Sequence, residues 1–206
     1  MRNRRVAELP QSEEAVLGDD VANVFIIHGT GGHPEENWFP WLKKELETLG
    51  YKVFIPQFPT PENQTPEAWF KVFSEYKRYF TPDTILVGHS LGATFALRIL
   101  EDSAVQIKAA FIVAASIGVL PIRYYETDKP FLAKPFDWDR IRKSSRRIYV
   151  FHSEDDPIVS VGNGRELAKN LGVDLILSKN AGHFNAKAGY TRFEKLLELI
   201  KEELLD

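Results

Sequence analysis

Six short apolar segments recur along the chain, at 22–27, 52–55, 84–87, 109–115, 147–151 and 173–177, each rich in Val, Ile or Phe and bounded by turn residues. Runs of this length without polar alternation read as strands buried on both faces, the pattern of a parallel sheet. Stretches of helical spacing lie between them. Trp38, Leu42, Leu46 and Leu49 mark the first helix, which Gly50 closes at a C′ position. The second has Thr65 as N-cap and Pro66 at its first position, with Trp69, Val72, Phe73, Tyr76 and Phe80 along one face. Further helices are predicted over 91–101, 161–171 and 190–205. Alternation of this kind predicts an α/β fold with a doubly wound, mainly parallel six-stranded sheet flanked by helices. In such sheets, ligands sit at the carboxyl ends of the strands.

A chain of 206 residues is long enough for one sizeable core and short for two. We therefore expect one domain over 21–206, preceded by an N-terminal arm or extension over 1–20, where no periodicity is evident. Lys and Arg number 26 against 29 Asp and Glu, a formal charge of -3 that gives no sequence-wide attraction for nucleic acid or anionic lipid. The longest strongly apolar runs, 24–27 and 111–115, fall far short of a membrane span, and no apolar stretch follows Arg2, Arg4 and Arg5 as a secretory signal requires. The chain has no cysteine, which excludes disulfides, thiolate metal sites and cysteine nucleophiles together. A cytoplasmic protein with neither nucleic-acid nor membrane partners is the expectation.

The chemistry concentrates where the third predicted strand ends. Gly88-His89-Ser90-Leu91-Gly92 fits G-x-S-x-G, and it falls between a strand and a helix, where a sharp turn exposes the serine and small neighbours prevent collisions. The plain alternative is a glycine-rich turn carrying an inert serine. A serine hydroxyl needs a base to take its proton. Of the five histidines, only His183 follows the last strand, as the order serine, acid, histidine requires; it stands in Asn180-Ala181-Gly182-His183-Phe184. The acid that orients the imidazole is sought after the fifth strand, where Glu154, Asp155 and Asp156 run together before Pro157. Asp156 is preferred because Pro157 pins a turn beside it, with Asp155 as the alternative, since neighbours point in different directions.

Acyl transfer also needs donors for an oxyanion. The loop His28-Gly29-Thr30-Gly31-Gly32 after the first strand and the start of the helix after Ser90 supply them, so the amides of Thr30 and Leu91 are assigned that role. The loop matches no phosphate-binding pattern, which disfavours a nucleotide, and His28 reads as a structural residue. The long connection 116–138, rich in apolar residues, is expected to form a small lid or pocket wall. Trp38, Phe58, Ile122, Tyr125 and Phe184 are the pocket candidates. No metal or cofactor is expected, because an acyl-enzyme route needs neither a redox centre nor a Lewis acid.

With the glycine loop, the stretch Trp-Phe-Pro-Trp-Leu-Lys-Lys-Glu-Leu-Glu-Thr-Leu over 38–49, the Ser90 elbow, Phe136-Asp137-Trp138, Asp155-Asp156-Pro157 and Gly182-His183-Phe184, the chain resembles the small serine hydrolases of the retinoblastoma-binding protein 9 and YdeN-like group within the α/β-hydrolase superfamily. The likeness spans about 24–205 and implies a compact hydrolase without a large cap domain. The catalytic serine, aspartate and histidine of that group match Ser90, Asp156 and His183. It also implies esterase or amidase-type hydrolysis of small substrates. The pocket-protein interaction of the group is tied to an L-x-C-x-E motif, which a chain without cysteine cannot contain, so that partner is not carried over. The expected function is hydrolysis of small esters, or amides, through an acyl-enzyme. Two alternatives stand beside it: a catalytically weak hydrolase fold acting as a binding module, and an aminopeptidase-type amidase in which Glu35, Glu36 or Glu126 holds a substrate ammonium.

Overall fold

The computed structural model describes residues 22–205, so the predicted arm over 1–20 lies outside the described residues. Six strands, β1 (Asn23–Ile27), β2 (Lys52–Phe54), β3 (Ile85–His89), β4 (Ile107–Val113), β5 (Ser145–Ser153) and β6 (Leu175–Ser178), pair in the order β2-β1-β3-β4-β5-β6. Every pairing is parallel. This is the sheet expected from the sequence. Its order reverses at β1, so the loops leaving β1 and β3 stand side by side at the switch point where such sheets bind ligands.

Alternate residues of each strand feed opposite cores. Phe25, Ile27, Leu86, Ala110, Ile112 and Val150 join one cluster with Trp69, Phe95, Ile141 and Leu167. Val24, Ile26, Ile85, Val87, Phe111 and Val113 join the other with Phe39, Leu42, Leu46, Leu196 and Ile200. Helices α2 (Pro66–Ser74), α3 (Leu91–Asp102), α5 (Trp138–Lys143) and α6 (Val161–Leu171) therefore cover one face, and α1 (Phe39–Thr48) and α7 (Glu194–Leu205) the other. No helix among the described residues is long and apolar enough to cross a membrane.

The Thr65 cap is formed, its hydroxyl oxygen accepting from the Ala68 amide, a contact of about 1 kcal/mol. Helix α2 nevertheless stops at Ser74, short of the predicted Phe80. The chain tightens into a 3-10 turn over Lys77–Tyr79, which drives Phe80 into the core against Phe25 and Phe73. Similarly, α7 starts at Glu194 rather than at Tyr190, and Tyr190 and Phe193 pack on Phe184 ahead of the helix.

The connection 116–138 carries helix α4 (Tyr125–Leu132) and leads into α5. It is stitched to the scaffold at successive points. Buried Asn163 of α6 accepts from the Ile117 and Val119 amides, and Ile122 bridges to Val159. Farther on, Arg98 of α3 donates to the carbonyls of Phe131, Lys134 and Pro135 while pairing with Glu101 at 2.8 Å, and its guanidinium lies 3.7 Å from the Phe136 ring centre. Glu101 in turn accepts from the Asp137 amide. These stitches tie the segment to the scaffold, and they pair polar groups, among them buried Arg98 and Glu101, that would be costly to leave unpaired.

Candidate active site

Ser90 occupies the bend between β3 and α3 at φ 57 and ψ -126. A non-glycine residue in this region is strained by about 1–3 kcal/mol, and the surroundings hold it there. The Ser90 amide donates to the Val113 carbonyl of the neighbouring strand, and the residues that flank the bend leave no alternative path. A Cβ on Gly88 would lie 2.5 Å from Ala93 Cα and 2.6 Å from the Gly92 carbonyl oxygen. One on Gly92 would be driven into the Ile27 and His28 carbonyl oxygens of β1 and its loop. Gly92→Ala gains about 1 kcal/mol in helix propensity but meets backbone of the central sheet that cannot yield. We expect a net loss of about 3 kcal/mol or more, read from the urea midpoint, with Gly162→Ala as the milder control because its Cβ would meet side chains alone, Val119 Cγ1 at 3.0 Å and Ser160 Oγ at 3.7 Å.

The His183 ring presents Nδ1 to Asp156 Oδ2 at 2.8 Å, with the Asp156 side chain fully buried and that of His183 only 5% exposed. Burial pushes the Asp156 carboxyl up, but the bond and charge of His183 and the amides of Val159 and Ile158 outweigh it, and the group is held below its ordinary range. Asp155 does not touch the ring. It accepts from the Ser153 hydroxyl and from the Gly182 amide at 2.9 Å, anchoring the loop that carries His183. Glu154 is exposed.

Two further buried histidines brace this arrangement. His89 Nε2 donates to the His183 carbonyl at 2.7 Å, and burial, then the charge of His183, lowers its pKa to about 3, so it stays neutral. His28 Nε2 accepts from the Phe58 amide at 3.0 Å, which leaves the proton on Nδ1 to donate to the Gly29 carbonyl. The pattern GHSLG contains His89, yet its role became visible only with the loop it supports. Among the described residues the amides of Thr30 and Leu91 bond to no protein acceptor, and Leu91 opens α3, where the helix dipole favours negative charge.

Gly29, Thr30, Ser90 and His183 line one cavity of about 210 Å³ together with Glu36, Asn37, His89, Tyr124, Ile158, Asn185 and Lys187. Larger hollows lie away from Ser90. The aromatic pocket candidates do not line this cavity. Trp38, Phe58 and Phe184 are wholly buried: Trp38 donates to the Phe184 carbonyl, Phe58 stacks on Trp69 and Phe184 on Phe193. Rings of that size stabilise more as core than as a wetted wall. Ile122 is buried in its bridge to Val159, and Tyr125 begins α4 off the cavity lining, which takes Tyr124 and Ile158 instead. No group of three histidine or carboxylate side chains able to hold a metal occurs among the described residues.

A family model described as serine hydrolase matches residues 24–202. The hydrolase YdeN of Bacillus subtilis is 32% identical over 168 residues, covering 82% of this chain and 88% of its own. The rat serine hydrolase RBBP9 is 29% identical over 182 residues, covering 87% and 94% respectively. The crystal structure of YdeN superposes with a TM-score of 0.84 at 28% identity, over 90% of this chain and all of that one. Est1E of Butyrivibrio proteoclasticus, solved with ferulic acid bound, shares the fold at a TM-score of 0.69 and 15% identity, over 93% of each chain. With a parallel six-stranded sheet and matches that span nearly all of the described residues, the chain belongs to the serine hydrolase family and is a compact α/β-hydrolase.

Proposed function

We propose that residues 21–206 act as one hydrolase domain that cleaves small esters through a Ser90-His183-Asp156 triad. The observation that carries this reading is the His183–Asp156 pair at 2.8 Å beside a strained Ser90 in the same cavity. Asp156 fixes the proton on Nδ1 and leaves Nε2 as the base. Ser90 Oγ attacks the carbonyl carbon as its proton passes to His183 Nε2, and the oxyanion is held by the Thr30 and Leu91 amides. The C–O bond to the leaving group breaks, and the imidazolium returns the proton to the departing alkoxide. Water then attacks the acyl-serine, giving its proton to Nε2, and Ser90 leaves protonated as the acid is released. The hydroxyl is not bonded to the ring among the described residues, a state common before substrate binds and tightens the geometry.

An amidase acting on ammonium-bearing substrates is the second reading. Of the three carboxylates considered for that role, Glu36 lines the cavity, whereas Glu35 and Glu126 are exposed. The cavity volume suits small substrates in both cases.

The direct test is mass spectrometry after fluorophosphonate treatment, with Ser90→Ala and His183→Ala as controls. A single adduct on Ser90, lost in the first variant and much slower in the second, is the expected result. No adduct on folded protein overturns the triad and favours a binding module. Comparing simple acyl esters with amino-acid esters and anilides separates the two enzyme readings.

A further inference from the structure

We propose that Asp128 on α4 is a positioning residue for the oxyanion loop, fixing Thr30, whose amide is the assigned donor, through a closed circuit of hydrogen bonds. The inference rests on the triad reading above. Asp128 is 3% exposed, and its Oδ1 accepts from the Thr30 hydroxyl at 2.5 Å and from Gln64 Nε2 at 3.1 Å. Gln64 Nε2 also reaches Thr30 Oγ1 at 3.3 Å and the Thr127 carbonyl at 3.2 Å. Its Oε1 accepts from the Thr60 hydroxyl, and Thr60 Oγ1 accepts from the Gly31 amide at 2.7 Å. The circuit thus leaves the loop at the Thr30 side chain and returns to it at the next amide, Gly31, so Thr30 is held at its side chain and through the peptide that follows it.

A loop with glycine at 29, 31 and 32, and with Gly31 at φ 69, has little stiffness of its own. Preorganised donors are effective only when they need not reorganise during reaction, so the stiffness must come from outside the loop. Ionised Asp128 supplies it in the strongest form, because a carboxylate accepting from a hydroxyl makes a short, charge-assisted bond. Burial opposes that charge and raises the carboxyl to about 6, a desolvation cost a purely structural position would avoid with asparagine. The titratable group facing Asp128 across the site is His183. Thr60 and Gln64 are uncharged, and Glu126 and Lys129 of its own helix are 85% and 60% exposed and lie 4.0 Å from each other.

The experiment measures kcat and KM for a short acyl ester in the wild type, Asp128→Ala, Asp128→Asn, Thr30→Val and the Asp128→Ala/Thr30→Val double variant, with thermal melts on each. Asp128→Ala is expected to lower kcat about 30-fold with KM changed less than about 3-fold. In the Thr30→Val background the same change costs less than about 3-fold, because the bond is already gone. Asp128→Asn, which keeps an acceptor without a charge, stays within about 5-fold of wild type at pH 8. The ratio of wild-type to Asp128→Asn kcat/KM is flat above neutrality and falls as pH drops through about 6. Equal losses in both backgrounds, an effect on KM alone, or a ratio independent of pH overturns the inference. Should Asp128→Ala fail to fold, the pH ratio of the asparagine variant decides by itself. A wild type that labels and hydrolyses while every Asp128 variant matches it sinks this inference alone. A wild type that does neither sinks the triad reading and this one with it.

Discussion

Ser90→Ala is expected to lower ester hydrolysis by about 100,000-fold or more while leaving the protein folded. Removing a nucleophile that acts as one unit with its base costs nearly the whole covalent route, and only binding and oxyanion stabilisation remain. The fold should survive because the Ser90 hydroxyl makes no hydrogen bond among the described residues, and its amide bond to Val113 is independent of the side chain. Alanine inherits the strain at φ 57, whereas glycine does not. Ser90→Gly should therefore be as inactive as Ser90→Ala but unfold at higher urea, by about 1 kcal/mol. Kinetics and denaturation on the two variants together check this. A Ser90→Ala enzyme retaining more than about 1% of wild-type turnover would remove Ser90 from the chemistry.

The second large effect separates two adjacent carboxylates. Asp156→Asn should cost about 10,000-fold in kcat, because an amide donating to Nδ1 favours the wrong imidazole tautomer and supports no imidazolium. Asp155→Asn should cost less than about 10-fold, since its bond to the Gly182 amide needs only an acceptor. The Asp156 carboxyl is depressed in the folded state, so its stabilising contribution is complete above about pH 4, the ordinary aspartate value, and is lost as pH falls through the depressed one. The stability gap between wild type and Asp156→Asn should accordingly close on acidification, which urea titrations at neutral and acid pH would show. Similar kinetic losses in both variants would contradict the assigned division of labour.

Much of this architecture can be read from residues. Runs such as 24–27 and 84–87 are apolar on both faces because both faces are covered, and that signal needs no tertiary information. Ser90 was recognisable because its glycines answer a local steric demand. What escaped was decided by contacts distant in sequence. The end of α2 depends on Phe80 reaching Phe25, 55 positions earlier by number, and helix α4, with Pro130 inside it, is held by Arg98 rather than by its own periodicity. Asp155 and Asp156 stand one place apart in sequence, yet Asp156 meets the His183 ring and Asp155 the Gly182 amide. Nearness in sequence is a poor guide for a related reason: Trp38, Phe58 and Phe184 neighbour site residues along the chain, yet all three are wholly buried in the core.

The stitching of 116–138 to Asn163, Val159, Arg98 and Glu101 bears on how molecules reach the site. A segment tied down at these points is expected to wall the cavity rather than close over it, so turnover should not wait on a lid. Tyr124 and Ile158 line the cavity, so new side chains at these two positions are expected to change which molecules it admits, with the backbone beneath left as it stands.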